Sequence, residues 1–313
     1  MENFAKFVSS RGLLKSCSCH NVKPESSSEY IDINILDNLP PGGSIYICTD
    51  ALINFSSNFI SKINSPFVLV TGDSDLTLDD KLLSNPCLQK ILNNPYLLKW
   101  FAQNLAASHH KLIHLPIGID YHTMNEKPGL WSLSKTSPLS QELVLLDILK
   151  SSKSLENRYL MAYCNWQFTL DRGDRQLCYS EVDKSCCYFE RSSIPRHSTW
   201  SRQKAFMFVL SPMGVGVDCH RTWEALMLGC IPLVTESSID SLFDDLPVIK
   251  IGDWSEVNSA NLINYFNIIN NNKYDFSSLF LNFWLDRINC RNVKQMNLMS
   301  IQEFKISLTH FDG

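Results

Sequence analysis

The chain has 313 residues, 44% of them hydrophobic and 19% charged, enough apolar mass to bury a sizeable core, which excludes a disordered polymer. Its formal net charge is −4 with no basic run, which argues against nucleic acid as a partner, because phosphate contacts need clustered Lys and Arg. No apolar stretch approaches the roughly 20 residues of a bilayer span, and residues 1–17 lack a signal peptide's apolar centre, so a cytoplasmic protein without membrane insertion is expected.

Residues 1–40 open with a strand or helix and continue through a serine-rich loop at 23–28. The turn Pro40-Pro41-Gly42-Gly43 feeds a short strand at 44–50 that ends in Asp50. Residues 51–63 carry a helical pattern, 66–72 a second buried strand running into Asp73-Ser74-Asp75, and 95–107 a helix. A third strand at 111–116 leads to Asp120 and His122. After a helix at 139–150, the Ser-, Lys- and Asn-rich stretch 151–158 reads as a linker. A new strand at 159–164 precedes Asn165, Thr169, Arg172 and Arg175. Further on come a strand at 247–251 and helices at 260–269 and 278–291, and the tail beyond 292 keeps spaced apolar residues that suit a helix folding back on the first half. Strands alternating with helices, without an internal repeat, predict a doubly wound α/β fold.

The densest chemistry lies at residues 206–234. The apolar run 206–210 reads as a strand buried on both faces. A loop at 211–219 holds Gly214 and Gly216, and from about Asp218 the pattern turns helical. Trp223, Leu226 and Met227 form its core stripe, while Arg221 and Glu224, three apart, share another face. Gly229 stops the helix and the next strand follows at 230–234. Such a loop sits at the carboxyl edge of a parallel sheet, where these folds bind ligands. Glycines admit backbone N–H groups to an anion, the helix N-terminus adds its dipole, and Arg221 adds a full charge. A dinucleotide fingerprint would place a third glycine at Cys219 and a P-loop would carry Gly-Lys-Ser/Thr; neither is present. The plain alternative is a βα turn with a surface Arg221–Glu224 salt bridge.

Residues 211–234, SPMGVGVDCHRTWEALMLGCIPLV, resemble the donor-binding signature of exostosin-like (GT47-type) glycosyltransferases, in particular the short soluble enzymes of large DNA viruses of algae. The resemblance implies a GT-B-type α/β architecture: two Rossmann-like domains facing a central cleft. Its parts would be an N-terminal acceptor domain at 1–155, a C-terminal nucleotide-sugar donor domain at 156–290, and a segment at 291–313 packing back on the first. It further implies inverting transfer from a nucleotide-sugar, a UDP-sugar such as UDP-xylose, to the hydroxyl of a glycan or glycoprotein, with no metal or other cofactor. The donor-binding residues would be Ser211, Gly214, Gly216, Asp218, His220, Arg221 and Glu224, the last on the ribose, joined by Asn165, Arg175 and, from the loop after the next strand, Ser237.

Inversion requires a general base. Asp73 is the first candidate and Asp75 the second, since both lie just past the carboxyl end of a buried strand. Asp50, Asp120 and His122 occupy comparable positions, and helix capping is the competing role for each aspartate. Asp73-Ser74-Asp75 also has the D-x-D form that holds a divalent metal in other glycosyltransferases. A catalytically inactive sugar- or nucleotide-binding module is the alternative outside enzymes. The 11 cysteines are scattered without a paired frame, so Cys17-Ser18-Cys19-His20 and Cys186-Cys187 read as structural thiols.

Overall fold

The computed structural model describes residues 2–126 and 134–309, so the last four residues of the tail lie outside it. Two parallel sheets organise the chain. The first contains β1 (Gly43–Cys48), β2 (Phe67–Gly72), β3 (Leu97–Ala102) and β4 (Leu112–His114), hydrogen-bonded in that order. β1 and β2 are buried along their whole length, as strands covered on both faces must be.

The second sheet contains β5 (Tyr159–Cys164), β6 (Cys187–Phe189), β7 (Phe206–Leu210), β8 (Ile231–Thr235) and β9 (Ile249–Ile251). Its spatial order is β9-β8-β7-β5-β6, all parallel. From β5 the chain steps outward to β6, then returns to build β7, β8 and β9 on the other side. The winding therefore reverses between β5 and β7, and a crevice opens at their carboxyl ends.

One expectation fails in the first half. Residues 95–107 are not a helix but β3 followed by a two-residue strand, Leu105–Ala106, paired with Leu78–Asp79. The sheet decides the matter, because β3 lies between β2 and β4, and the Trp100 ring is buried with its Nε1 donating to Thr71 Oγ1 at 2.9 Å. Local propensity yields to that packing.

Five helices matter below: α1 (Pro138–Lys150), α2 (Arg175–Glu181), α3 (Arg196–Gln203), α4 (His220–Met227) and α5 (Ile301–Thr309). On α1, Glu142 is buried and accepts hydrogen bonds from the Lys6 and Phe7 amides and from the Tyr121 hydroxyl, pinning the start of the chain. The stretch read as a linker is tied down: the buried Arg158 donates from Nη1 to the carbonyls of Leu228 (3.0 Å) and Gly229 (2.9 Å), closing the end of α4. The α5 helix packs on α1, with Lys305 donating to the Ser152 carbonyl. One apolar core runs from Phe7 through Val68, Leu149 and Trp223 to Phe304, and a second is confined to the outer face of the first sheet. All 11 cysteines are free thiols. Among the described residues no helix is long and apolar enough to cross a membrane.

Candidate functional site

A cavity of about 340 Å³ opens where the two sheets' carboxyl edges meet. Its walls follow strand ends: Asp75 after β2, Ile117 and Asp120 after β4, Asn165 to Arg175 after β5, Ser192 to Ile194 after β6, and Gly214 to Cys219 after β7. Polar faces of α3 and α4 complete it. The volume suits a small organic ligand.

Four arginines line this space: Arg196, which is ion-paired, and Arg172, Arg175 and Arg221. Among the described residues none of the last three makes an ion pair. Arg175 donates from Nη1 to the carbonyl and hydroxyl of Thr169, and its buried Nε has no partner. Arg221 donates to the Pro212 carbonyl at 3.0 Å. Burial, reinforced by Arg221 alongside, brings the Arg175 guanidinium down to about 10. Partly buried like charges repel, and an anion between them relieves the cost.

Glycines shape this arrangement through close packing. Gly173 adopts φ +53°, and a Cβ there would stand 2.3 Å from the Gly214 carbonyl oxygen. That close approach brings the segment bearing Arg172 and Arg175 against the loop at 211–219. Gly214 was expected to offer its amide to an anion, yet that N–H donates to the Gly216 carbonyl at 3.2 Å. Gly216 leaves room for Asn104, whose side chain would lie 2.8 Å from a Cβ at that position. Asn104, at φ +49°, in turn accepts from the Asp218 amide and donates to the Ser74 carbonyl, stitching one sheet's loop to the other's.

The carboxylates separate by partner. Asp73, at φ +57°, is buried; it accepts from Ser26 Oγ at 2.8 Å and lies 3.2 Å from Arg11 Nη2. Burial pushes its carboxyl up while Arg11 pulls it back. It does not line the cavity. Asp75 does, exposed and without a hydrogen bond or ion pair among the described residues. The two carboxylates of Asp73-Ser74-Asp75 therefore serve different surroundings. Among the described residues no group of three or more His, Cys, Asp or Glu side chains could hold a metal ion.

Glu224 lines the cavity but is engaged: Oε1 accepts from Arg196, and Oε2 accepts from Trp200 Nε1 at 2.8 Å. Arg196 also donates to the Asp120 carboxylate at 3.0 Å and to its carbonyl at 2.9 Å. Burial alone would raise the Asp120 carboxyl, but Arg196, His122 and His220 hold it well below the usual range. This Asp120–Arg196–Glu224 chain spans both sheets, and sequence reasoning missed Arg196 altogether. Its signal was the spacing of Arg196, Thr199 and Gln203, three polar residues on one face of a helix next to the buried strand β7.

Asp218 is buried: Oδ2 accepts from the Ile117 amide at 2.8 Å, and Oδ1 accepts from Trp223 Nε1, also at 2.8 Å. Burial, opposed by those bonds, leaves its carboxyl raised to about 6. His220 Nδ1 lies 2.7 Å from the Gly118 carbonyl oxygen, which can only accept, so Nδ1 carries a proton and the lone pair of the neutral ring is on Nε2. Burial lowers the neighbouring His122 ring to about 4, so it is neutral at pH 7. Asn165 lines the cavity. Ser211 and Ser237 do not: Ser211 bonds the Thr222 hydroxyl at 2.8 Å, and Ser237 closes its own turn onto Asp240 at 3.0 Å. Asp50 stays away from the cavity too, accepting from the Cys48 thiol.

No protein-family model matches the chain, and no curated protein matches it. Among solved structures, an α1,3-fucosyltransferase with GDP-fucose is similar over 96% of each chain, at 10% identity and a TM-score of 0.35, a likeness too slight to carry an activity across.

Proposed function

We propose that this chain is a GT-B-type glycosyltransferase that moves a sugar from a nucleotide-sugar to a hydroxyl of a glycan or glycoprotein, inverting the anomeric centre without a metal on the donor. The observation that supports it most is the set of three arginines, free of carboxylate partners, at the winding reversal of a parallel sheet. A diphosphate is the anion that suits this set: Arg175 and Arg221 supply paired donors, and the α4 N-terminus adds its dipole. With those charges in place, a divalent cation has little left to neutralise.

In this reading residues 156–290 carry the donor and residues 1–155 receive the acceptor. His220 is the base: its Nε2 takes the proton from the acceptor hydroxyl as that oxygen attacks the anomeric carbon. The bond from the sugar to the diphosphate breaks, and the charge that develops on the leaving oxygen falls among the arginines. Glu224 orients Arg196 instead of waiting free for a ribose. The resemblance of residues 211–234 to exostosin-like enzymes makes UDP-sugars, UDP-xylose among them, the first donors to try.

The test is a panel of UDP- and GDP-sugars followed by thermal shift and by slow sugar-nucleotide hydrolysis, with and without EDTA. One sugar nucleotide at a hundred times its Kd should stabilise the fold by about 2.7 kcal/mol, and EDTA should change nothing. Absence of any shift rejects glycosyl transfer; a shift that EDTA abolishes rejects the metal-free mechanism.

A further inference from the structure

An apolar side chain alone on an open surface needs no explanation, but Phe168 is 45% exposed within the cavity wall. It rides on a turn after β5 that the fold holds tightly. Two residues back, the buried Trp166 donates from Nε1 to the Leu210 carbonyl at 3.0 Å and fastens the turn to the end of β7. Gln167 donates to the Glu190 carbonyl and accepts from the Cys164 thiol at 3.3 Å. The Thr169 amide donates to the Trp166 carbonyl at 3.0 Å, and its hydroxyl donates there too while accepting from Arg175. The two aromatic residues of this turn therefore part ways: Trp166 goes into the core, and Phe168 faces the cavity. Among the described residues the Phe168 ring meets no other ring and no cation. A fixed frame, and not slack in the chain, keeps that ring uncovered.

Its place beside the arginines says what would cover it. Thr169 holds the Arg175 guanidinium, and Phe168 is the preceding residue, one Cα step of about 3.8 Å away. Across the Gly173–Gly214 contact, Val215 is 64% exposed and lines the same cavity. Exposed apolar surface thus flanks the wall that would hold a diphosphate. Resting on the donor reading above, we infer that Phe168 is the platform on which the donor's nucleobase stacks, and that it grips the base by its face, whichever base that is. Every base has a π face, so such a contact is tolerant of base identity. The side chains on either side of Phe168 agree: those of Gln167 and Thr169 are already engaged within the turn, leaving neither to read a base edge or the hydroxyls that rim a sugar. A ring held ready in this way loses little freedom when the ligand arrives.

Calorimetric titration with UDP, GDP, ADP and inorganic pyrophosphate tests this. Phe168→Ala should weaken each nucleotide that the unaltered protein binds by a similar factor, about tenfold, and leave pyrophosphate binding unchanged. Phe168→Trp should keep the nucleotide affinities, and the added indole fluorescence should be quenched by those nucleotides but not by pyrophosphate. Unchanged nucleotide affinity in Phe168→Ala overturns the inference, as does a loss that spares one bound nucleotide and not another. A parallel loss of pyrophosphate binding overturns it too, because Phe168 would then act by supporting Arg175. The donor reading survives each of these results. If neither pyrophosphate nor any nucleoside diphosphate binds the unaltered protein, the donor reading itself fails and takes the inference with it.

Discussion

The carboxyl edges of the two sheets handle charge in opposite ways. At the edge of the first, the buried carboxylates are matched within the fold, Asp73 by Arg11 and Asp120 by Arg196, and only the exposed Asp75 goes without an ion pair among the described residues lining the cavity there. At the edge of the second, Arg172, Arg175 and Arg221 gather without a carboxylate in reach of an ion pair among the described residues. A buried pair that satisfies itself holds structure, whereas like charges left together persist where a ligand of opposite sign offsets their desolvation. The contrast teaches where to look for function: among the unmatched charges, and not among the best-formed salt bridges.

The sharpest way to break this comparison is to remove charge from the second edge. Arg175→Ala combined with Arg221→Ala should weaken pyrophosphate and UDP binding by about 10²–10⁴-fold, at about 1.5–3 kcal/mol for each charge-assisted contact. Titration calorimetry reads the loss, and the unfolding free energy should hold or rise because a repulsion is relieved. The same treatment at the first edge should do the reverse. Asp73→Ala leaves the buried Arg11 with only the half-exposed Glu126, 3.6 Å away, and should cost about 3–5 kcal/mol in urea unfolding, with UDP affinity intact in the folded protein. An Asp73→Ala protein of unchanged stability that has lost only turnover would restore Asp73 as the base and end the contrast.

Two smaller effects refine it. His220→Ala should lower kcat by about 10²–10⁴-fold while nucleotide affinity moves little, since the ring is assigned to the acceptor proton. Asp218 links the edges, and its raised carboxyl gives a pH signature. A group whose folded pKa of about 6 exceeds the unfolded value of about 3.9 contributes stability that is present below pH 4 and lost as pH rises through 6. Subtracting the unfolding curve of Asp218→Asn from that of the unaltered protein should expose a decline of about 2–3 kcal/mol across that window. A flat difference would mean that Asp218 is better solvated than its contacts to Ile117 and Trp223 imply.

Much of the second half was legible in advance. The run 206–210 is the fully buried strand β7, and Trp223, Leu226 and Met227 are core, because a 3.6-residue apolar stripe next to a continuous apolar run leaves few other solutions. Asn165, Arg175, Asp218, His220, Arg221 and Glu224 all reach the cavity, since loops after parallel strands open on one edge. The first half was harder. Residues 97–102 became a strand because β2 and β4 supply partners that no local pattern announces.

What the sequence by itself determined is periodicity: alternating strands and helices, a parallel α/β core, and the loop at 211–219 at the carboxyl edge of a parallel strand. The tertiary structure alone decided pairing. It turned Asp73 toward Arg11, bound Glu224 to Arg196 across 28 positions, and left Arg175 and Arg221 unmatched. The physical reason is range. Propensity and amphipathic pattern act over a few neighbouring residues, while the partner of a charge depends on which distant loop the fold carries to within 3 or 4 Å of it.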